Sequence, residues 1–322
     1  MIFPSFASLM QVHRNIDQLP EFRQAVVTIG TFDGVHLGHQ QIIRQMKAEA
    51  LLTGGETVII TFFPHPRVVI RGSDKGQISL LNSLEEKIQL LKAHGVDHLV
   101  VVPFTEAFAA MDARAYVSNF LVDRFHPAVL IIGYDHRFGK NRTGDYQLLE
   151  HLGPAFGFRV IEIPEHVLHT VTISSTRIRK ALLAGQLEEA NENLGYAYQL
   201  SGTVVEGNKR GRTIGFPTAN LDPEDPEKLV PADGVYAVTL TIRGREGLYK
   251  GMMNIGYRPT VDGKTRTIEV NIFHFSDMIY GEVLHVTMCK HLRSEQKFES
   301  LDALKAQLAA DQILAMAVLS HC

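Results

Sequence analysis

The sequence predicts an α/β domain built on a doubly wound parallel sheet, followed by a small antiparallel β-barrel and a C-terminal helix. Two observations predict it. In the first half, short and wholly apolar runs alternate with helical patterns, as strands buried on both faces of a parallel sheet do. From about residue 196 the runs follow one another across Gly/Pro/Asp turns with no helical pattern between them, and several alternate with period two.

The elements follow in order. AVVTIG (25–30) opens the sheet, and TVIITF (57–62), DHLVVVP (97–103), AVLIIGY (128–134) and FRVIEI (158–163) repeat its character. Helical patterns near 38–53, 83–94, 111–125 and 145–152 supply the crossovers that parallel strands require. A last helical stretch, 174–194, closes the domain. The boundary falls between Gly185 and Tyr196, giving expected domains over 1–186 and 187–322. Beyond it YQLSGTVVEG, GVYAVTLTIRG, LYKGMMNIGY, RTIEVNIFHF and GEVLHVTMCK read as barrel strands. One helix begins near Phe298 and runs through LDALKAQLAAD.

Composition narrows the class. A chain of 322 residues with 45% hydrophobic and 21% charged residues can bury two cores and has the make-up of an ordered globular protein. A formal charge of −3 offers no global attraction to nucleic acid or to an anionic membrane, so any anion site has to be local. Cys289 and Cys322 are the only cysteines, which excludes a disulfide framework or Cys-rich zinc site and fits a reducing cytoplasm. No apolar run approaches a membrane span, and MIFPSFASLMQVHRN lacks the basic region that opens a signal peptide.

The most informative motif is TFDGVHLGHQ (31–40), directly after the first strand. His36-x-Gly38-His39 sets two imidazoles on neighbouring positions of a helix's first turn. That turn presents unpaired N–H groups and the positive end of the helix dipole, which suits nucleotide phosphates. Gly38 lets a ligand approach the backbone closely, and Asp33 and Gly34 lie in the same turn. FFPHPRVVI (62–70) holds His65 between two prolines in a stiff loop, which on its own reads as a strand-ending turn. GYDHRFGKNRTGD (133–145) mixes Arg137, Lys140 and Arg142 with three glycines, as a lid over a polyphosphate or as a solvated loop. In ISSTRIRKALLAG (173–185), Ser174, Ser175 and Thr176 cap a helix with Arg179 one turn inside. Hydroxyls, free N–H groups and a guanidinium then converge where β- and γ-phosphates can bind.

Together the four segments resemble the nucleotidyltransferase superfamily, in which an H-x-G-H turn and a later S-S-T-x-x-R helix grip ATP from opposite sides. Their order, FDGVHLGH, PHP, GYD-x-RFGK-x-R-x-GD and ISSTRIR, resembles more narrowly the FMN adenylyltransferase module of bacterial bifunctional riboflavin kinase/FAD synthetases. GNKRGRTIGFPTANL (207–221), PADGVYAV (231–238), GMMNIGYRPTVDGKTRTIEVNIFHF (251–275), YGEVLHV (280–286) and HLRSEQKF (291–298) resemble the riboflavin kinase module. The resemblance covers nearly the whole chain. It departs at His136, where the family mostly carries Phe, at Phe63, where an acidic residue is common, and at His274, in place of a frequent Asp.

The resemblance implies adenylylation of FMN by ATP in the first domain, with release of pyrophosphate, and phosphorylation of riboflavin by ATP in the second. It implies that His36 and His39 stabilise charge on the reacting phosphates, and that Ser175, Thr176 and Arg179 hold the leaving pyrophosphate. Asp33, Gly34 and Gly38 then shape the ATP site. In the barrel it implies Glu269 as general base, Thr218 and Asn220 as neutral magnesium ligands, and Arg293 as a flavin contact. Gly207, Lys209, Gly211 and Gly215, with Arg210 and Arg212, become a flexible basic loop over ATP. Read from strand alternation alone, Glu269 shares a face with Asn271 and is a solvent-facing residue of a half-buried strand. Magnesium is the expected cofactor, since a hard dication suits bridging phosphate oxygens. The implied partners are riboflavin, FMN, FAD and ATP, without nucleic acid or membrane, in a monomer or weak homo-oligomer.

Two other classes fit the sequence less well. A class I aminoacyl-tRNA synthetase also carries an H-x-G-H turn, but K-M-S-K-S is absent and the second half lacks a basic or aromatic-rich pattern for RNA. A flavin-binding protein that has lost its activities is opposed by the presence of both histidines, the S-S-T-x-x-R set, P-T-A-N and Glu269.

Overall fold

Apolar runs with no polar alternation need cover on both sides, and the structure supplies it. The computed structural model describes residues 10–71, 79–164, 173–207, 210–260 and 263–320. Strands β1 (Gln11–His13), β2 (Val26–Ile29), β3 (Thr57–Phe63), β4 (His98–Pro103), β5 (Val129–Gly133) and β6 (Arg159–Ile163) form one parallel sheet in the order β1-β4-β3-β2-β5-β6. Val27, Ile29, Val58, Ile60, Val100 and Leu130 enter one apolar cluster, while Val26, Ile59, Leu99, Val101, Val129 and Ile131 enter a second. Alternate residues thus face two helical layers, and every position in β2 is buried. From β2 the chain runs through β3 to β4 on one side, and β5 and β6 lie on the other. The switch point therefore falls between β2 and β5, where α/β sheets bind their ligands. Both TFDGVHLGHQ and GYDHRFGKNRTGD leave the sheet there.

Several local expectations are corrected. β1 is an added edge strand. The helix expected over 111–125 is two short α turns, Ala113–Ala115 and Asp123–Phe125, around a π-helical segment, Tyr116–Val122, that buries Tyr116, Val117, Phe120 and Leu121. The stretch 62–70 is not all loop. After a cis Phe63–Pro64 bond, Pro66 opens the helix Pro66–Arg71, and the buried His65 accepts the Arg67 N–H on Nδ1 at 3.1 Å. The helix expected over 174–194 is two, Ser175–Leu183 and Leu187–Leu194. Gly185 turns left-handed at φ +75° and ends the first of them.

The second half closes into a barrel of antiparallel strands, which leaves no unpaired edge. Its strands are β7 (Gln199–Val205), β8 (Ala219–Pro223), β9 (Gly234–Ile242), β10 (Tyr249–Thr260), β11 (Gly263–Ile272) and β12 (Val283–Arg293), in the order β10-β11-β8-β7-β12-β9. The final helix spans Leu301–Val318, later than Phe298 because Ser300 is the cap, its side chain accepting the Ala303 N–H. Ala315 and Leu319 pack on Val235, Ala237, Met252 and Phe273.

The chain divides into two compact units, Met1–Ile78 with Leu84–Ser174, and Ser79–Ser83 with Ser175–Cys322. The short Ser79–Ser83 segment joins the second unit through a bridge from Leu80 to Lys228 and a 2.6 Å bond from Lys228 Nζ to the Leu81 carbonyl. Lys228 also lies over the Tyr198 ring at 4.3 Å.

Two candidate active sites

The turn after β2 has an unusual backbone. Phe32 (φ +47°), Gly34 (φ +88°) and Val35 (φ +36°) are all left-handed, a region non-glycine residues rarely enter. Phe32 and Val35 are held there by burial, at 2% and 0% exposure. The turn tucks Asp33 inside and delivers His36 to the N-cap of the helix Leu37–Thr53, without a side-chain capping bond. His36 and His39 stack face to face, with ring centroids 3.8 Å apart and planes 17° apart, and Phe32 lies 4.8 Å from His39. A Cβ on Gly38 would meet the His36 ring at 3.2 Å, so this glycine makes room for an imidazole.

His39 Nδ1 is buried and has no hydrogen-bond partner among the described residues. Burial holds the His39 pKa well below the usual histidine value, with smaller contributions from His36 and Lys87. A neutral imidazole can donate one hydrogen bond to a phosphate oxygen without being a fixed cation.

Lys87 is a candidate beside this turn that motif reading missed. It lies on the helix Leu84–Ala93, is 6% exposed, and reaches Thr61 Oγ1 at 3.5 Å. Burial pushes its pKa down to about 8, against the opposing attraction of Asp33. The signal was in the periodicity, since Leu84, Lys87, Ile88 and Leu91 fall at i, i+3, i+4 and i+7, a lysine within an apolar stripe.

The segment after β5 is not an open lid. Phe138 and Gly144 exchange backbone bonds of 3.1 and 2.9 Å, and the buried Phe138 ring stacks on Tyr116 at 4.9 Å. A Cβ on Gly144 would meet that ring at 2.3 Å. Arg137, Lys140 and Arg142 are exposed on this pinned loop. His136 lies 5.8 Å from Phe138, with Nε2 buried and unpartnered among the described residues. Burial first, then Arg142 and Arg137, push its pKa down to about 4 against the pull of Asp135.

The two other departures from the family pattern have plain positions. Phe63 is the exposed last residue of β3. His274 is exposed and left-handed at φ +54°, a conformation that Asp, Asn and His adopt more readily than most residues.

In the second unit, the helix Ser175–Leu183 starts at Ser175, with Ser174 just before it and Ile178, Ala181 and Leu182 buried. Ser175 is half-buried and Thr176 is exposed. Arg179 is half-buried and gives its Nε–H to the Ser79 carbonyl at 2.8 Å.

Strand register assembles the barrel's candidates. Glu269 on β11 lies opposite Asn220 on β8 and opposite Asn254 on β10. Thr218 Oγ1 donates to Glu269 Oε2 at 3.0 Å, and Asn271 Nδ2 donates to the Pro217 carbonyl at 2.7 Å, tying P-T-A-N to β11. A Cβ on Gly207 would fall 2.0 Å from the Asn220 amide nitrogen, so Gly207 packs directly on that side chain. Gly207, Thr218, Asn220 and Glu269 are thereby brought together, and Asn254, from the GMMNIGYRPT segment, joins them opposite Glu269.

Part of the glycine-rich segment has regular structure. Arg210–Thr213 is a helical turn, closed by a 2.9 Å bond from Phe216 N–H to the Gly211 carbonyl. A Cβ on Gly211 would meet the Phe216 carbonyl oxygen at 2.2 Å, and Gly215 is left-handed at φ +88°. Lys209 lies outside the described residues. Arg293 ties the end of β12 to the final helix. Its Nε and Nη2 bond the buried Asp311 carboxylate at 2.7–3.0 Å, and Nη1 bonds the Ser294 carbonyl at 3.1 Å.

Among the described residues no cluster of three or more His, Cys, Asp or Glu could hold a metal ion. The hydroxyl and amide oxygens of Thr218 and Asn220 are hard, neutral donors that fit magnesium if nucleotide phosphates supply most of its ligand charge.

A parallel-sheet nucleotide fold joined to a barrel with its own carboxylate site defines a two-module, nucleotide-dependent transferase. The FAD synthetase family model matches residues 18–177, and the riboflavin kinase family model matches residues 194–319. The chain is 42% identical to the bifunctional riboflavin kinase/FMN adenylyltransferase of Listeria monocytogenes, over 89% of this chain and 90% of that one. It is 38% identical to the protein of the same name from Haemophilus influenzae, over 94% and 97%. A solved structure from Streptococcus pneumoniae, described as a macrolide-efflux protein, matches with a TM-score of 0.83 at 33% identity, covering 96% of this chain and 99% of that one. The chain belongs to the bifunctional riboflavin kinase/FMN adenylyltransferase family.

Proposed function

We propose that this chain converts riboflavin to FMN in its barrel and FMN to FAD in its parallel-sheet domain, consuming ATP in each step. The observation that carries the reading is the pair of distinct constellations, stacked imidazoles at a sheet switch point and a Thr218–Glu269 contact in a closed barrel. By chemistry, adenylylation is assigned to residues 1–186 and phosphorylation to 187–322.

In the adenylyl step an oxygen of the FMN phosphate attacks the α-phosphorus of ATP, and the bond to the bridging oxygen breaks to release pyrophosphate. The attacking phosphate is already ionised at neutral pH, so the protein positions it and stabilises charge rather than removing a proton. His36 and His39 donate to phosphate oxygens, and Asp33, Gly34 and Gly38 shape the turn around them. Ser175, Thr176 and Arg179 hold the departing pyrophosphate.

In the kinase step the 5′-hydroxyl of riboflavin attacks the γ-phosphorus, ADP leaves, and Glu269 takes the hydroxyl proton. Thr218 orients the carboxylate, and Thr218 and Asn220 supply oxygens for magnesium. When bound, magnesium neutralises charge on the phosphates. The segment carrying Gly207, Lys209, Gly211 and Gly215 covers the nucleotide. Arg293, committed to Asp311, shapes the flavin end of the site by fixing β12. The ligands are riboflavin, FMN, FAD and ATP, with no nucleic acid or membrane partner. The setting is the cytoplasm and the state a monomer or weak homo-oligomer.

Transport, suggested only by the description of the pneumococcal structure, is not adopted. No helix among the described residues is long and apolar enough to cross a membrane. The test is incubation with riboflavin, ATP and magnesium followed by chromatography. FMN and then FAD should appear, and riboflavin recovered unchanged overturns the reading.

A further inference from the structure

We propose that Lys87 is a positioning residue for adenylyl transfer, holding the left-handed turn that carries Asp33 and delivers His36 and His39. It faces Asp33 from the turn, Thr61 from β3 and His39 from the helix Leu37–Thr53. Thr61 Oγ1 lies 3.5 Å from Lys87 Nζ and itself donates to the Thr31 carbonyl at 3.2 Å, so the ammonium is linked through one hydroxyl to the start of the turn. The same ammonium attracts the buried Asp33 carboxylate.

Two left-handed, non-glycine residues in that turn need their surroundings to over-determine them. A leucine or methionine would fill this place in the stripe without desolvating a charge, so the ammonium acts through the groups it faces. Its field also disfavours a proton on His39. A general-base role is not required, because the FMN phosphate is ionised already.

The inference rests on the reading of the His36–His39 turn as the adenylyl-transfer site. The experiment therefore compares Lys87→Met and His36→Ala, measuring FAD formation from FMN and FMN formation from riboflavin in the same full-length chain. A displaced site costs on the order of 10²-fold. Lys87→Met should accordingly lower kcat for FAD formation by about 10–100-fold, change KM for ATP less, and leave FMN formation within about twofold. Wild-type kcat for FAD formation should fall as pH rises through about 8, where the Lys87 ammonium deprotonates, and this limb should vanish in Lys87→Met. Unchanged FAD formation in Lys87→Met beside an inactive His36→Ala overturns the inference alone. Full FAD formation in His36→Ala overturns the site reading and the inference with it. Should Lys87→Met fail to fold, the wild-type profile decides, and a flat rate between pH 7 and 9 overturns the proposal.

Discussion

Replacing Glu269 by Gln isolates one chemical property of the barrel site. The amide keeps the size of the side chain and an oxygen to accept the Thr218 hydroxyl, now 3.0 Å away, but cannot take a proton from riboflavin. Losing a general base costs roughly 10²–10⁴ in rate, about 3–5 kcal/mol of barrier at 1.36 kcal/mol per tenfold. The folding cost should be smaller. The ladder to Asn220 and Asn254 is made by the backbone, so weakening one side-chain hydrogen bond costs about 1 kcal/mol. The assay follows FMN from riboflavin and FAD from supplied FMN on the same preparation. The first rate should fall by the stated range while the second holds. FMN formation within threefold of wild type refutes the base assignment, and an equal fall in both rates refutes separate sites.

Three further outcomes are expected. His36→Ala should lower FAD formation by roughly 10²–10³, the effect of losing a donor to transition-state charge, with FMN formation intact. Both rates are read by chromatography. Gly207→Ala should displace the Asn220 amide, because the new Cβ falls 2.0 Å from its nitrogen. The KM for magnesium–ATP in riboflavin phosphorylation should rise and FAD formation stay unchanged; an unaltered KM contradicts the packing argument. His136 titrates near 6.5 when unfolded and about 4 when folded, so between these values only the unfolded chain binds the proton. Its contribution is present above pH 6.5 and is lost as pH falls toward 4, amounting to about 3 kcal/mol. His136→Phe should flatten that decline, as urea midpoints at pH 7 and 4 would show.

The core strands of the sheet were legible because burial on both faces leaves no polar alternation, and the barrel strands because closely spaced turns interrupt period-two runs. β1 was not legible, since three residues, Gln11–His13, carry no period. The π-helical Tyr116–Val122 was read as ordinary helix because one widened turn barely shifts the apolar spacing. The stretch 174–194 read as one helix because the apolar pattern resumes at Leu187, just past Gly185, and hid the break. At the sites, H-x-G-H and P-T-A-N were visible because they are contiguous. Asn254 lies in the quoted GMMNIGYRPT segment, but its place opposite Glu269 depends on the β10–β11 register, and the hold of Asp311 on Arg293 spans 18 residues, so neither contact was. Lys87 was missed because a charge within an apolar stripe belongs to no motif, and only structure shows what it faces.

The central claim is that two independent active sites share this chain, FMN leaving one and entering the other. Mixing the His36→Ala and Glu269→Gln chains with riboflavin, ATP and magnesium tests it most directly. Each alone should fail to make FAD from riboflavin, and the mixture should restore it, because one chain supplies FMN and the other adenylylates it. Absence of FAD from the mixture, with both variants folded, would contradict the account.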